Sequence, residues 1–200
     1  MNKIKCTHLE SNSLKESNMR FNIGDISMIL NNQLRVIWIN GAFGVGKTTI
    51  SNLLKAKIIN SIIFDPEIAG TMLNKIYPEE MKKDNFQDYI EWRNINNEIL
   101  RKLIEGTDKI IIIPMTITNL NYYQEIVSGL DTKIIRQFLL VADDNTLIDR
   151  LNSRNESDRW PYDQINHCIR SFENIDFGTR IDTNVMNLDS IVEVIIESIK

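Results

Sequence analysis

A glycine-rich octapeptide carries the strongest chemical signal in the sequence. The run Gly41-Ala42-Phe43-Gly44-Val45-Gly46-Lys47-Thr48 fits the pattern G-x-x-x-x-G-K-[ST] at every position. Glycines let such a loop curl until its backbone N–H groups converge on phosphate oxygens, and the lysine reaches the outer phosphates. The threonine hydroxyl is the group that binds Mg²⁺ in loops of this kind. The octapeptide therefore predicts that the chain binds a nucleoside triphosphate, ATP together with Mg²⁺.

The loop and its surroundings supply the candidate donor-site residues. We assign Lys47 to the transferred phosphoryl group and Thr48 to the metal ion. The candidate nucleotide contacts are Gly41, Ala42, Phe43, Gly44, Val45, Gly46, Lys47, Thr48, Thr49 and Arg150. The segment Asp182-Thr183-Asn184 is expected to border the adenine ring.

Two acids and three arginines could complete a transfer site. Asp65 could accept the proton of an acceptor hydroxyl or orient a Mg²⁺-bound water, and capping of the next helix is the alternative. Glu67 is assigned to acceptor binding, with a structural role as its alternative. Arg150, Arg154 and Arg159 are expected to form a mobile lid over the phosphates. Arg154 and Arg159 are the candidate catalytic arginines, and a solvated surface face is the alternative.

A third group of candidates lies in a long predicted helix. Tyr89, Arg93 and Asn97 recur at intervals of four and would share one helix face. An arginine among apolar neighbours needs an anionic or carbonyl partner. We therefore assign these residues to binding of a substrate phosphate or nucleobase. For Arg93, a salt bridge at the edge of the core is the alternative.

Two other classes of nucleotide-binding protein fit the sequence poorly. GTPases read guanine with Asn-Lys-x-Asp, and Asn74-Lys75-Ile76-Tyr77 lacks the aspartate. Motor and transport ATPases place an acid at the end of a central apolar strand, whereas the apolar run at 110–113 ends in Pro114-Met115. The acid at a strand end follows the second strand instead, which is the arrangement of small-molecule and nucleotide kinases.

Apolar runs and amphipathic stretches alternate from Leu34 onwards. The predicted strands cover 36–39, 61–64, 109–114, 133–141 and 180–183, and the third is expected at the centre of the sheet. The predicted helices cover 47–57, 86–104, a segment that starts at 143 or 144, 163–172 and 188–199, and Pro66 suits the first turn of another. This alternation predicts an α/β fold of the P-loop NTPase class. We expect a five-stranded parallel sheet flanked by helices, nucleotide-kinase-like, with an arginine lid.

Length and composition bound the broader class. The 200 residues, 42% hydrophobic and 25% charged, suit one globular domain at 34–200 after a polar N-terminal arm at 1–33. A net charge of −4 argues against a nucleic-acid partner. Two cysteines suit a reducing compartment, and no apolar run is long enough to cross a bilayer. We therefore expect a cytoplasmic protein without stable membrane insertion, and a homodimer is left open.

Several pieces of the sequence resemble the tunicamycin-resistance ATP-binding proteins. They are Trp38-Ile39-Asn40 with the octapeptide that follows, the stretches 64–67 and 84–89, Trp92-Arg93, and the stretch 113–117. The resemblance implies a nucleotide-kinase-like fold, ATP binding and a role in resistance to a nucleoside antibiotic. That family is similar to antibiotic phosphotransferases, in which an acid after the second strand serves as base. The resemblance gives this role to Asp65.

The sequence leads to two main hypotheses about function. The first is a small-molecule kinase that transfers the γ-phosphoryl group of ATP to a hydroxyl of a nucleoside-like molecule or antibiotic. The second is ATP-dependent sequestration of such a molecule without phosphoryl transfer. A regulatory ATPase switch with protein partners ranks last, because no acid ends the predicted central strand.

Overall fold

A five-stranded, all-parallel sheet organises the chain. The computed structural model describes residues 33–154 and 156–200, so the predicted arm lies, apart from Gln33, outside the described residues. The strands are β1 (Val36–Gly41), β2 (Ser61–Ile63), β3 (Ile110–Pro114), β4 (Ile135–Val141) and β5 (Thr179–Asp182). Their order in the sheet is β2-β3-β1-β4-β5. The predicted fold class is confirmed, but the central strand is β1 and not β3.

Helices follow the strands and flank the sheet. The α-helices of the described residues are α1 (Lys47–Lys57), α2 (Glu67–Ile76), α3 (Ile90–Gly106), α4 (Leu120–Ile126), α5 (Asp144–Ser153), α6 (Trp160–Glu173) and α7 (Leu188–Ser198). Short 3₁₀ turns lie at Glu79–Met81, Phe86–Asp88 and Thr132–Ile134. None of the helices in this part of the chain has the length and apolarity needed to span a membrane.

The apolar strands form the centre of the core. Every residue of β1 and β3 is buried, because helices cover both faces of a parallel sheet. Trp38 of β1 packs edge-on against Tyr123 of α4, with ring centroids 4.9 Å apart. Phe177 lies 4.9 Å from Tyr123 and closes the same aromatic cluster. This packing holds the carboxyl end of β1, where the glycine loop begins, in a fixed position.

Three elements begin two or more residues away from their predicted starts. The long helix was expected from Phe86, but Asn85 accepts a hydrogen bond from the N–H of Gln87 and starts a 3₁₀ turn, so α3 begins at Ile90. Tyr89 therefore precedes α3 and does not share its face. Asp131 starts a similar turn and delays β4 to Ile135. α6 begins three residues earlier than predicted, at Trp160, with a proline in its first turn.

Candidate active site

The glycine loop joins β1 to α1 at the carboxyl edge of the sheet. Gly44 and Gly46 have φ angles of 83° and 107°, which L side chains rarely adopt. A Cβ on Gly44 would also lie 2.7 Å from the carbonyl oxygen of Leu147, so a side chain has no room there. α1 starts with no side-chain cap and no acid in its first turn. Its positive N-terminal end is thus available to an anion, as a phosphate loop requires.

A small pocket surrounds this loop, and we call it the phosphate pocket after the predicted role of the loop. Its volume is about 140 Å³, and a Cβ on Gly46 would meet no atom within 4 Å, so the backbone there borders open space. The lining residues include Phe43, Gly44, Gly46, Lys47, Thr48, Asp65, Glu67, Pro114, Arg154 and Glu156. In the described chain, no group of three or more His, Cys, Asp and Glu side chains could hold a metal ion. A Mg²⁺ ion would take its ligands from the exposed Thr48 hydroxyl, phosphate oxygens and water.

Lys47 is the buried cation of this pocket. Its Nζ donates hydrogen bonds to the carbonyl oxygens of Gly41 and Ala42, each at 3.1 Å, and lies 5.4 Å from the centre of the Phe43 ring. Burial lowers the pKa of Lys47 to about 8, against the opposing attraction of Glu67 and, more weakly, of Asp65. Among the described residues, no carboxylate oxygen forms an ion pair with this ammonium group, and an anionic ligand would stabilise its charge.

We expect the affinity for MgATP to fall as the pH rises above about 8. Lys47 of the free protein loses its proton there, because burial lowers its pKa, whereas a bound phosphate would raise that pKa again. Binding above pH 8 should then take up a proton and weaken by up to about tenfold per pH unit. Calorimetric titrations in two buffers of different ionisation enthalpy measure both effects. The Lys47→Arg variant should lose the pH slope, and a wild-type affinity that stays constant through this range would contradict the prediction.

Asp65 and Glu67 line the same pocket as Lys47. Asp65 Oδ1 accepts a hydrogen bond from the backbone N–H of Glu67 at 3.0 Å, so this acid caps α2 as the sequence alternative proposed. It also lines the phosphate pocket, and capping and chemistry are compatible because the second carboxylate oxygen has no partner among the described residues. Burial raises the pKa of Glu67, nearby Lys47 lowers it, and Asp65 raises it further.

The three predicted lid arginines have separate positions. Arg154 lines both the phosphate pocket and a larger cleft of about 580 Å³ beside it. Arg150 lines only the larger cleft, on the side of Thr183. The side chain of Arg159 is 89% exposed, and its Nε lies 4.0 Å from Asp163, outside both clefts. In this structure Arg159 thus has the solvated position that the sequence left as its alternative.

Arg150 ties the glycine loop to the wall of the larger cleft. Its guanidinium donates to the carbonyl oxygen of Val45 at 3.3 Å, and to the hydroxyl and carbonyl oxygens of Thr183, both at 2.8 Å. Thr183 belongs to the segment expected to border adenine. The cleft also contacts Gly46 and Thr49, so a nucleotide held by the loop could extend its base and ribose here.

The Arg150→Ala variant should bind ATP more weakly while retaining most of its maximal rate. Loss of the bonds to Val45 and Thr183 frees the two walls of the larger cleft, and hydrogen bonds from a charged group are each worth roughly tenfold in binding. We expect Kd and KM for ATP to rise about 10- to 100-fold. Arg101→Ala, on an exposed position of α3, is the control. An unchanged KM would show that Arg150 does not shape the nucleotide site.

The residues assigned to the acceptor have protein partners. Arg93 Nε lies 2.6 Å from Glu125 Oε2, which is the salt bridge that the sequence left as its alternative. The hydroxyl of Tyr89 donates to Asn74 at 3.1 Å and accepts from the N–H of Lys83. The amide of Asn97 donates to the carbonyl oxygens of residues 126 and 128. These contacts connect Tyr89 and α3 to neighbouring elements. Direct substrate binding by the three residues stays a prediction.

Three buried polar residues near the loop were missed by the sequence reasoning. Asn40 Oδ1 accepts from the N–H groups of Gly41 and Ile117, and its Nδ2 donates to the Ile117 carbonyl. The hydroxyl of Thr116 donates to the Gly41 carbonyl at 2.8 Å, and Gln87 Nε2 donates to the Thr116 carbonyl at 2.9 Å. These bonds attach the glycine loop to the segment after β3. A polar residue within an apolar strand, as Asn40 is, was the available signal.

The comparisons with known proteins agree with this geometry. A family model described as an AAA domain matches residues 37–176. The solved structure of a Deinococcus radiodurans tunicamycin resistance protein is similar, with a TM-score of 0.66 and 23% identity over 82% of this chain and 94% of that one. A Sinorhizobium meliloti gluconokinase has a TM-score of 0.62, with 12% identity over 84% of this chain and 93% of that one.

A third similar structure is an Acinetobacter baumannii shikimate kinase in complex with shikimate. Its TM-score is 0.55, with 13% identity over 84% of this chain and 94% of that one. None of the curated proteins matches the sequence. At these identities the likenesses show a shared fold, that of the P-loop kinases.

Proposed function

Because the chain belongs to the AAA domain family and has the P-loop kinase fold, we propose that it is an ATP-dependent phosphotransferase. It transfers the γ-phosphoryl group of ATP to a hydroxyl of a nucleoside-like small molecule. The observation that carries this proposal is the pocket that joins Lys47, Thr48, Asp65 and Arg154. The likeness to a tunicamycin resistance protein supports an antibiotic as one such acceptor.

Each residue of the pocket has its own role in the proposed reaction. Lys47 and the N-terminal end of α1 hold the phosphate chain and compensate its charge. Thr48 supplies a hydroxyl ligand to Mg²⁺, which screens the phosphate oxygens when it is bound. Asp65 accepts the proton of the acceptor hydroxyl, and Arg154 brings positive charge from the α5 end of the pocket. Glu67 binds the acceptor, and its carboxylate stabilises the positive charge of nearby Lys47.

A second candidate is ATP-dependent sequestration without chemistry. It is favoured by the hydrogen bond from Glu67 N–H to Asp65 Oδ1, since an acid that only caps α2 need not act as a base. In that case the same pocket would bind nucleotide and ligand, and no phosphorylated product would form.

Transfer of label from γ-labelled ATP separates the two functions. The protein is incubated with MgATP and a panel of nucleosides and nucleoside antibiotics, and the products are resolved by chromatography. The proposal expects label in an organic product, at a rate that depends on the acceptor. Label that is found only in free phosphate with every acceptor would contradict it and leave sequestration.

A further inference from the structure

A polar groove lies between the segment after β3 and the second half of α6. Its volume is about 500 Å³, within the range of small-molecule sites. The lining residues are Asn85, Gln87, Asp88, Thr118, Asn119, Leu120, Tyr122, His167, Ser171 and Ile175. The two walls meet where Thr118 Oγ1 lies 3.3 Å from His167 Nε2. Lysine and arginine are absent from this lining, and its one acid is Asp88.

Gln87 is the most buried polar side chain of the groove, at 5% exposure. Its Nε2 donates to the Thr116 carbonyl oxygen, and a carbonyl can only accept, so the orientation of the amide is determined. The opposite end, Oε1, receives no hydrogen bond from any described residue. The backbone of Gln87 is held as well, because its carbonyl accepts from Arg93 Nη1 at 2.6 Å. The groove therefore has a fixed acceptor group, open to the groove, that a ligand could satisfy.

Donors surround this acceptor group. The side-chain oxygens of Asn85 and Asn119 accept from the backbone N–H groups of residues 87 and 121, which leaves both NH₂ groups available. The hydroxyl of the half-buried Ser171 has no partner among the described residues. The Tyr122 hydroxyl donates to Asp88 Oδ1 at 2.8 Å, and that bond raises the pKa of Tyr122. The groove thus offers neutral donors and acceptors side by side.

Both walls of the groove are connected to the donor pocket. Pro114 lines the phosphate pocket, and Thr118, four residues later, lines the groove. On the other wall, burial raises the pKa of Cys168, next to His167, to about 11, and the nearby backbone of Phe43 in the glycine loop opposes this rise. The residues that line the groove are thus close along the chain to Pro114 of the phosphate pocket and to Thr116, which bonds the glycine loop.

We infer that this groove recognises the acceptor and that the acceptor is uncharged there. This inference rests on the proposed phosphotransfer function and names its substrate class: a nucleoside or sugar with several hydroxyl or amide groups. A phosphate or carboxylate in the groove would meet Asp88 and no lining lysine or arginine, and Arg93, behind Tyr122, is already paired with Glu125. Nucleoside monophosphates are consequently poor acceptors.

Equilibrium binding tests the inference without any need for turnover. Uridine, adenosine, glucose and uridine monophosphate are titrated into the full chain with Mg²⁺ and a non-hydrolysable ATP analogue. The wild type should bind at least one of the uncharged probes, and uridine monophosphate at least about tenfold more weakly than uridine. Comparison of uridine with glucose shows whether the groove prefers a nucleoside or a sugar.

Two variants locate the bound probe. Ser171→Ala removes a hydroxyl without a protein partner and should weaken binding about 3- to 10-fold, the value of one neutral hydrogen bond. Gln87→Ala should weaken it further, and its melting temperature is measured because the Thr116 carbonyl loses its donor. Ser198→Ala, whose hydroxyl donates to the Ile195 carbonyl on α7, is the matched control and should leave the affinity unchanged.

The outcomes separate this inference from the proposed function. Equal affinity of Ser171→Ala, Gln87→Ala and wild type, tighter binding of the monophosphate, or no binding of any uncharged probe would overturn the inference. Phosphoryl transfer would then still be measurable with an acceptor bound elsewhere. Conversely, probes that bind in the groove and are never phosphorylated would support the inference and contradict the transferase proposal.

Discussion

The Lys47→Met variant should lose at least about 10³-fold in phosphoryl transfer. Lys47 is the buried cation beside the glycine loop, and Met retains much of the apolar stem without the charge. The lost contact to the phosphates should also weaken MgATP binding about 10- to 100-fold, as expected for hydrogen bonds from a charged group. Steady-state rates and calorimetric titrations on the same preparation measure the two effects.

Stability serves as the internal control for this variant. Burial lowers the pKa of Lys47 in the folded protein from its ordinary value of 10.5 to about 8, so the charged form is less favourable in the folded state than in the unfolded state. That penalty is present below the folded pKa and disappears above the unfolded one. Removal of the charge relieves this penalty, so the melting temperature at neutral pH should not fall below that of wild type. Lys57→Met, at the other end of α1, should leave the transfer rate unchanged. A Lys47→Met protein that transfers phosphate at the wild-type rate would refute the assigned role.

The Asp65→Asn variant should lower the transfer rate about 10²- to 10⁴-fold while MgATP binding persists. The amide cannot take a proton from the acceptor hydroxyl. Its oxygen can still accept the hydrogen bond from the N–H of Glu67, so the cap of α2 is kept. Single-turnover transfer and nucleotide affinity are the two measurements.

The comparison with Glu67→Gln identifies which acid is the base. Glu67 is near Lys47, and its pKa is raised by burial, so its amide variant should change acceptor KM more than the maximal rate. If Asp65→Asn retains the wild-type rate while Glu67→Gln loses it, the two roles must be exchanged. If neither change alters ligand binding and the wild type forms no phosphorylated product, sequestration without chemistry is the better description.

Local patterns were sufficient for the fold and the donor loop. The octapeptide and the β-branched run before it predict a strand, a phosphate loop and a helix, and α1 has the predicted bounds, Lys47–Lys57. The order of the strands is a different matter. β3 is as apolar as β1, and only the pairing of β1 with both β3 and β4 places β1 at the centre. Such pairing is a tertiary property that a single strand's composition does not contain.

The residues assigned to acceptor binding were predicted less accurately from the sequence. The sequence correctly indicated that Arg93 needs a partner. That partner is Glu125, which lies 32 residues away on α4, a helix that was not predicted. Asn85 delayed the start of the predicted helix by a local hydrogen bond, which placed Tyr89 before α3 and off the face of Arg93. Gln87 had no visible signal, because its importance depends on Thr116 and Gly41, which become neighbours only in the folded chain.

A network of hydrogen bonds joins these residues and connects the polar groove to the glycine loop. Arg93 holds the backbone of Gln87, Gln87 holds the Thr116 carbonyl, and Thr116 holds the Gly41 carbonyl. The Gly41 carbonyl also accepts from Lys47. If Lys47 turns to a bound phosphate, Thr116 still satisfies that carbonyl, so the loop need not leave a buried acceptor unpaired.

Calorimetric titration of the wild-type chain with ATP, in the presence and absence of Mg²⁺, tests the central claim most directly. The account predicts saturable binding at one site per chain, tighter with Mg²⁺, with a Kd on the order of micromolar to a tenth of a millimolar. The same titration with Lys47→Met should show strongly weakened binding. An absence of saturable heat with millimolar MgATP, or equal affinity of the Lys47→Met variant, would contradict the assignment of Gly41–Thr48 as the ATP site.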